Sequence, residues 1–202
     1  MSETIPNSAR LQAAHEQFDA ANAEDPNATS LPSGGTEPKE LIYGRRMTEE
    51  LLRFAPDAPE AVHLAARCQH IRRWRIPRKD YPMDKAGYHK WRTTLYKFHA
   101  DQAAEILQQV GYDAATIDRV RFLLQKKSLR SDPDTRTLED VICLTFLRHY
   151  FADFAAGHPE EKVVDIVRKT WHKMSAAGHA AALKLDLAPE SLRLVQLALQ
   201  VP

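Results

Sequence analysis

Between Asp84 and Gly111 the chain carries no proline and a single glycine, Gly87, and this uninterrupted run reads as one long helix over 85–110. Asp84 supplies the side-chain cap and Gly111 the left-handed stop. The same punctuation divides the rest of the chain. A first helix is expected from about Asn7 to Ala23, stopped by Asp25-Pro26-Asn27. Thr36 is read as the cap of a second, ending at Phe54, and Asp57 with Glu60 as the capping box of a third over about 59–74. Asp113 opens a helix to about Lys127, and the turn Ser131-Asp132-Pro133-Asp134 precedes one over 135–156. Gly157-His158-Pro159 separates this from a helix to Ala177, and a short Leu-rich helix closes the chain near Gln200. Residues 28–35 read as a loop. Seven glycines are few for a strand-rich fold or for Gly-rich phosphate loops. The expected fold is therefore all-α, a single helical domain over 1–202 with seven or eight helices and no strand.

Lys and Arg number 28 against 27 Asp and Glu, a net charge of +1, so no global field advertises nucleic acid or an anionic membrane. No apolar run approaches the roughly 20 residues of a membrane span. Met1 to Arg10 lacks the basic-then-apolar order of a secretory leader, and Cys68 and Cys143 sit in apolar helical patterns as packing residues. These features lead to the expectation of a cytoplasmic protein.

The charge is uneven locally. Between Arg67 and Arg92 stand nine bases (Arg67, Arg72, Arg73, Arg75, Arg78, Lys79, Lys85, Lys90 and Arg92) against Asp80 and Asp84. Trp74, Tyr81, Tyr88 and Trp91 are interleaved with them. Arginine presents a planar fork of donors suited to phosphate or carboxylate and stacks on aromatic rings. The stretch thus reads either as an anion pocket, with Arg72, Arg73, Arg78, Arg92, Tyr81 and Trp91 as its binding residues, or as a solvated basic face anchored by tryptophans. Lys126, Lys127 and Arg130 extend the first reading.

On the long helix, Tyr88, Arg92, Leu95, His99 and Gln102 fall on one stripe, which Leu95 turns inward. His99 is then a core histidine with a partner or a ligand. His70 follows an apolar helix, and Glu139-Asp140 head the apolar run VICLTFL. Two histidines and carboxylates from three helices suit a divalent transition metal, with Glu40 or His15 completing such a set. The acids also suit a helix N-terminus without any metal.

The segments FDAANAEDPN (18–27), ELIYGRRM (40–47), AARCQHIRRWRIPRKDYPMDKAGYHKWRTTLYKFHA (65–100) and TLEDVICLTFLRHYFADF (137–154) resemble the bacterial and fungal domain-of-unknown-function family 4202, over roughly Leu11 to Leu185. The order of elements also resembles the HD-domain metal-dependent phosphohydrolases, which are all-helical. In that likeness LAARCQHIRR stands at the place of the family's His-Asp doublet, with Gln69 for the histidine and His70 for the aspartate. Tyr43 falls near the first histidine, and Asp140 resembles the last aspartate. The doublet itself is missing.

The resemblance and the residues together lead to the expectation of a metal-dependent hydrolase of a small phosphorylated or anionic compound. His70, His99, Glu139 and Asp140 would hold Fe, Mn or Zn, His70, His99 and Tyr88 would be catalytic, and the arginines would hold the substrate. The alternative is a non-catalytic anion- or nucleotide-binding module on a degenerate HD-like fold. Nucleic acid is the less favoured partner because no basic stripe continues elsewhere.

Overall fold

The computed structural model describes residues 9–31 and 34–199; the expected helix start at Asn7, the middle of the 28–35 loop and Gln200 lie outside them. The described residues are mostly helical, which makes the fold all-α. They form ten α-helices and two single-turn 3₁₀ helices, more than the seven or eight expected. The chain groups into two compact units that divide after Thr135.

The first unit holds α1 (Ala9–Ala23), β1 (Ala28–Ser30), β2 (Thr36–Pro38), α2 (Lys39–Phe54), α3 (Glu60–Arg67), α4 (Lys85–Val110) and α5 (Ala114–Leu124), with 3₁₀ turns at Arg73–Arg75 and Arg78–Asp80. Its core is built from Phe18, Met47, Leu51, Leu64, Ile71, Leu107, Leu123 and Leu124, all fully buried. α4 runs as expected. Asp84 Oδ1 accepts from the Gly87 amide at 2.7 Å, and Gly111 ends the helix at φ 89°, where a side chain would be strained. Asp113 caps α5 through the Thr116 amide at 2.7 Å.

Other boundaries differ from expectation. Residues 28–30 are a strand, paired antiparallel with 36–38 so that Ala28 faces Pro38. Thr36 therefore lies in β2, and α2 begins after Pro38 without a side-chain cap. The capping box at Asp57 and Glu60 does not form, because Pro59 occupies the cap position and Glu60 instead accepts from the Tyr112 hydroxyl at 2.5 Å. The third helix stops at Arg67 rather than near Trp74. Its apolar spacing continues through Ile71, but Arg72 takes a left-handed conformation (φ 50°) and its amide donates to Asn22 Oδ1 at 2.9 Å instead of to a helical carbonyl. The helical ladder has by then given way to i→i+3 turns, Gln69 N–H to the Ala66 carbonyl and Ile71 N–H to the Cys68 carbonyl, and a side chain 50 residues away fixes the chain that follows them.

α6 spans Pro133–His149. Its first turn is set by Asp132, which accepts from the Thr135 amide at 2.8 Å and is itself gripped by both terminal nitrogens of Arg119. The second unit continues with α7 (Phe151–Ala156), α8 (Glu160–Trp171), α9 (Ala176–Ala182) and α10 (Pro189–Leu199) around Leu138, Leu144, Phe151, Val163, Val167 and Ala198. The expected helix over 135–156 is broken at Tyr150 (φ −130°), and the one to Ala177 ends at Trp171, after which Ser175 caps α9 through the Gly178 amide.

Candidate functional site

The site begins with a polar turn. Asp25, before Pro26, cannot continue α1, and its carboxylate accepts from the amides of Asn27 (2.9 Å) and Glu40 (3.0 Å). Asn22 Nδ2 donates to the Glu40 carbonyl at 3.3 Å while its Oδ1 holds Arg72. These two buried side chains join the end of α1 to the start of α2 and to the 68–73 turn, and so bring Glu40 and His70 together.

His70 Nδ1 lies 3.2 Å from Glu40 Oε2, and its Nε2 lies 2.7 Å from Arg73 Nη1. A guanidinium only donates, so Nε2 accepts and the proton sits on Nδ1, donated to Glu40. His70 is therefore neutral. Burial, then the charges of Arg73, Lys126, Lys39 and Arg92, hold its pKa well below the usual histidine range. Tyr43 stacks on the imidazole at 3.9 Å between ring centres. Burial raises the Glu40 carboxyl, against the opposing pull of Arg73 and Lys39.

The His99 ring centre lies 5.9 Å from that of His70. Its Nδ1 donates to the Ile71 carbonyl at 2.9 Å, leaving the Nε2 lone pair buried without a partner among the described residues. Burial pushes its pKa down to about 3, so it too is neutral.

The arginines divide into two groups. Arg67 and Arg75 are tied to α1, by Asp19 at 2.6 Å and Glu24 at 3.6 Å. Arg72, Arg73, Arg78 and Arg92 have no carboxylate within ion-pair distance among the described residues. Arg72 donates to Gln102 Oε1 at 2.8 Å, with its Nε buried and unpartnered. Arg73 contacts His70 and lies over the Trp91 ring. Arg92 is clasped by phenols, donating to the hydroxyls of Tyr88 (3.3 Å) and Tyr96 and lying over both rings. Lys126, another left-handed residue (φ 54°), lies over the opposite partner of that clasp, the Tyr96 ring, at 5.6 Å.

Two expected binding residues have structural work. Arg78 donates to the carbonyls of Tyr81 (2.9 Å) and Asp84 (3.3 Å), and Trp91 Nε1 donates to the Ile76 carbonyl at 2.9 Å. The Arg78 bonds close the 76–84 loop on itself, and the Trp91 bond fastens it to α4. Tyr81 is half-buried on that loop, and Tyr88 is exposed. Eleven residues separate Tyr88 from His99, about 16 Å along a helix axis, so Tyr88 serves the Arg92 end of the stripe rather than the His99 end.

Glu139 and Asp140 belong to the second unit. Asp140 accepts from the amide (2.8 Å) and hydroxyl (2.5 Å) of Ser175, which places it in the packing of α6 against the start of α9. Burial raises its pKa, opposed by those bonds. Glu139 is buried, with Lys173 Nζ 4.0 Å away. Among the described residues, no three His, Cys, Asp or Glu side chains stand together as a ready metal cage.

Sequence reasoning found His70, His99 and the arginines, and named Glu40 as one option for a carboxylate. It missed Asn22, Asp25, Lys39 and Tyr96. Tyr96 was legible, since 88, 92 and 96 follow the i, i+4 rule; the others act across 15 to 50 residues of chain and leave no local signal.

Neither a curated protein nor a solved structure matches this chain. A family model does, over residues 12–195, and it carries the description "Domain of unknown function (DUF4202)". That match takes in all four segments on which the resemblance was read and every residue of the Asn22–Glu40–His70–Arg73 assembly, and the chain belongs to the DUF4202 family.

Proposed function

We propose that this protein binds a small phosphorylated or otherwise anionic compound at the face formed by Lys39, His70, Arg73 and Arg92. The observation that carries this reading is Arg73, a guanidinium resting on a neutral imidazole while no carboxylate lies within ion-pair distance of it among the described residues. A guanidinium–oxyanion bond is charge-assisted and roughly twice as strong as one to a neutral acceptor, so an arriving oxyanion displaces the imidazole as its partner. Arg92, Lys39 and Lys126 add positive charge around the same ring. The test is a thermal melt in phosphate or sulfate. At a ligand concentration of about 100 Kd, stabilisation is about 2.7 kcal/mol, a rise of roughly 5–10 °C for a chain of this size. Arg73→Ala should abolish most of that rise, and an equal rise in wild type and variant would remove the reading.

A second reading keeps hydrolysis, assisted by a divalent ion such as Fe, Mn or Zn. It is favoured by His99, whose Nδ1 is fixed on a backbone carbonyl while Nε2 stays open, the arrangement found for metal-ligating histidines. His70 and His99 are the residues that would hold the ion, with Glu40 as the acid beside them, and it would supply an activated water. In the present arrangement the His70 lone pair is taken by Arg73 and the surrounding charge is positive, which disfavours a dication. Elemental analysis of wild type beside His70→Ala and His99→Ala decides: metal near one per chain, lost in both variants, supports the reading, and none after incubation with Fe, Mn or Zn removes it.

A further inference from the structure

The contacts of His70 equip it as a nucleophile as well as a partner for Arg73. Its Nδ1–H is donated to Glu40 at 3.2 Å, so the lone pair stands on Nε2, the atom that Arg73 Nη1 contacts at 2.7 Å. Tyr43 lies nearly flat against the ring, 12° from parallel, and fixes its plane. Glu40 is itself held in place, because its amide donates to Asp25 and its carbonyl accepts from Asn22. A carboxylate on Nδ1–H pushes electron density towards Nε2, and a nucleophile bonded to a polar group that a third group orients is the arrangement of covalent catalysis. His99 is neutral too, but it is 3% exposed, whereas the His70 side chain keeps 21% of its surface open. The anion face brings the electrophile to this atom. An oxyanion that takes Arg73 from the imidazole releases the Nε2 lone pair, and the guanidinium that then holds the anion is the group that stood against Nε2.

We propose that His70 Nε2 takes the phosphoryl group of an acyl phosphate bound at this face, forming an N-phosphohistidine, with Glu40 as its positioning residue. The inference rests on the anion-binding reading above and names its substrate class and the reaction there. The Nε2 lone pair forms the N–P bond as the P–O bond to the acyl group breaks, and the electron pair of that bond leaves on a carboxylate. The Nδ1 proton stays in place, and Glu40 offsets the positive charge that the ring gains. The phosphoryl group then stays on His70 until water or another acceptor takes it and the N–P pair returns to Nε2. An acyl phosphate fits because its carboxylate departs without a proton. Nε2 has none to give, and the charges around the ring, Arg73, Lys126, Lys39 and Arg92, are cations that stabilise a departing anion.

The test is incubation of the full chain with acetyl phosphate, quenched in alkali and read by intact mass and peptide mapping. Wild type should gain one phosphoryl group on His70. Acid should remove it and alkali spare it, as an N–P bond behaves and a serine ester or an aspartyl phosphate does not. His70→Asn should gain none. Glu40→Gln should label at least about tenfold more slowly at saturating acetyl phosphate, with the half-saturating concentration within about twofold of wild type, a split that a purely structural role would not give. No acid-labile phosphoryl group on wild type, or one mapped to any other residue, would overturn the inference, and this mapping decides even where His70→Asn melts early. An undiminished maximal rate in Glu40→Gln would overturn the part given to Glu40. The melt in phosphate keeps this inference apart from the reading beneath it. A rise that depends on Arg73, with His70 unlabelled, leaves an anion site without transfer, and no rise at all removes the anion-binding reading as well.

Discussion

Asn22 shows how much of the site depends on one side chain that does no chemistry. Its amide is satisfied on both ends, by the Glu40 carbonyl and the Arg72 amide, and it is 2% exposed. Asn22→Ala leaves two buried backbone groups without partners, a loss of about 2–4 kcal/mol. The melting temperature should fall by roughly 5–12 °C, and phosphate binding should weaken because the turn carrying His70 and Arg73 loses its anchor. An unchanged melt would mean that the 68–73 turn is held by other contacts. At this scale the sequence was informative where residue type alone carries the signal. The density of arginine marked the stretch in which Arg73 and Arg92 stand without a carboxylate partner among the described residues, and the stripe on α4 marked His99. It was silent on Asn22, which reads as an ordinary polar position on α1, and it left Asp140 open between a ligand and a helix cap; the bonds to Ser175 place that carboxylate in packing.

Among the elements, α4 was the most legible, because a capping Asp and a terminal Gly are local signals and both operate. The signals at Thr36 and at Asp57 with Glu60 failed for a shared reason. In each case a proline, Pro38 or Pro59, sits at the cap position and sets the backbone entry by itself. The end of α3 carries no local signal: i→i+3 turns replace the helical ladder from Gln69, and Asn22 then holds Arg72 in its left-handed conformation. The 76–84 loop that follows is folded tightly onto α4, and Gly87 permits it: a Cβ there would stand 2.1 Å from the Pro82 carbonyl oxygen. Gly87→Ala is expected to destabilise by about 2 kcal/mol or more, since the obstructing atom is backbone. Trp91 reports it, because loss of the loop frees its indole N–H from Ile76 and shifts its emission to the red. An Ala variant with wild-type emission and stability would show that the loop is not packed this way. Asp84→Ala should cost about 1 kcal/mol through the lost cap.

For the whole molecule, the net charge of +1 conceals strong local separation, with paired arginines facing α1 and carboxylate-free ones facing the site. No helix among the described residues is long and apolar enough to cross a membrane. The interior of the first unit also holds neutral histidines. His15 has its pKa lowered to about 4, chiefly by burial and then by Arg67, and burial lowers His63 as well. Both therefore bind protons more weakly folded than unfolded. Stability is full above the unfolded value of about 6.5 and falls as the pH drops towards 4, by about 2 kcal/mol at pH 5 for His15 alone. Denaturant midpoints at pH 7 and pH 5 should differ accordingly, and His15→Gln should flatten the dependence. An equal pH dependence in the two proteins would rule out His15 as the cause.

The most direct measurement of the central claim is a crystal of the full chain soaked in tungstate, a tetrahedral oxyanion that the anomalous signal of its metal locates without ambiguity. The structure predicts density against Arg73, with its guanidinium turned from His70 Nε2 onto the oxyanion, and with none at that place in crystals of Arg73→Ala. Tungstate bound elsewhere, or an Arg73 that stays on the imidazole while the anion ignores this face, would contradict the account.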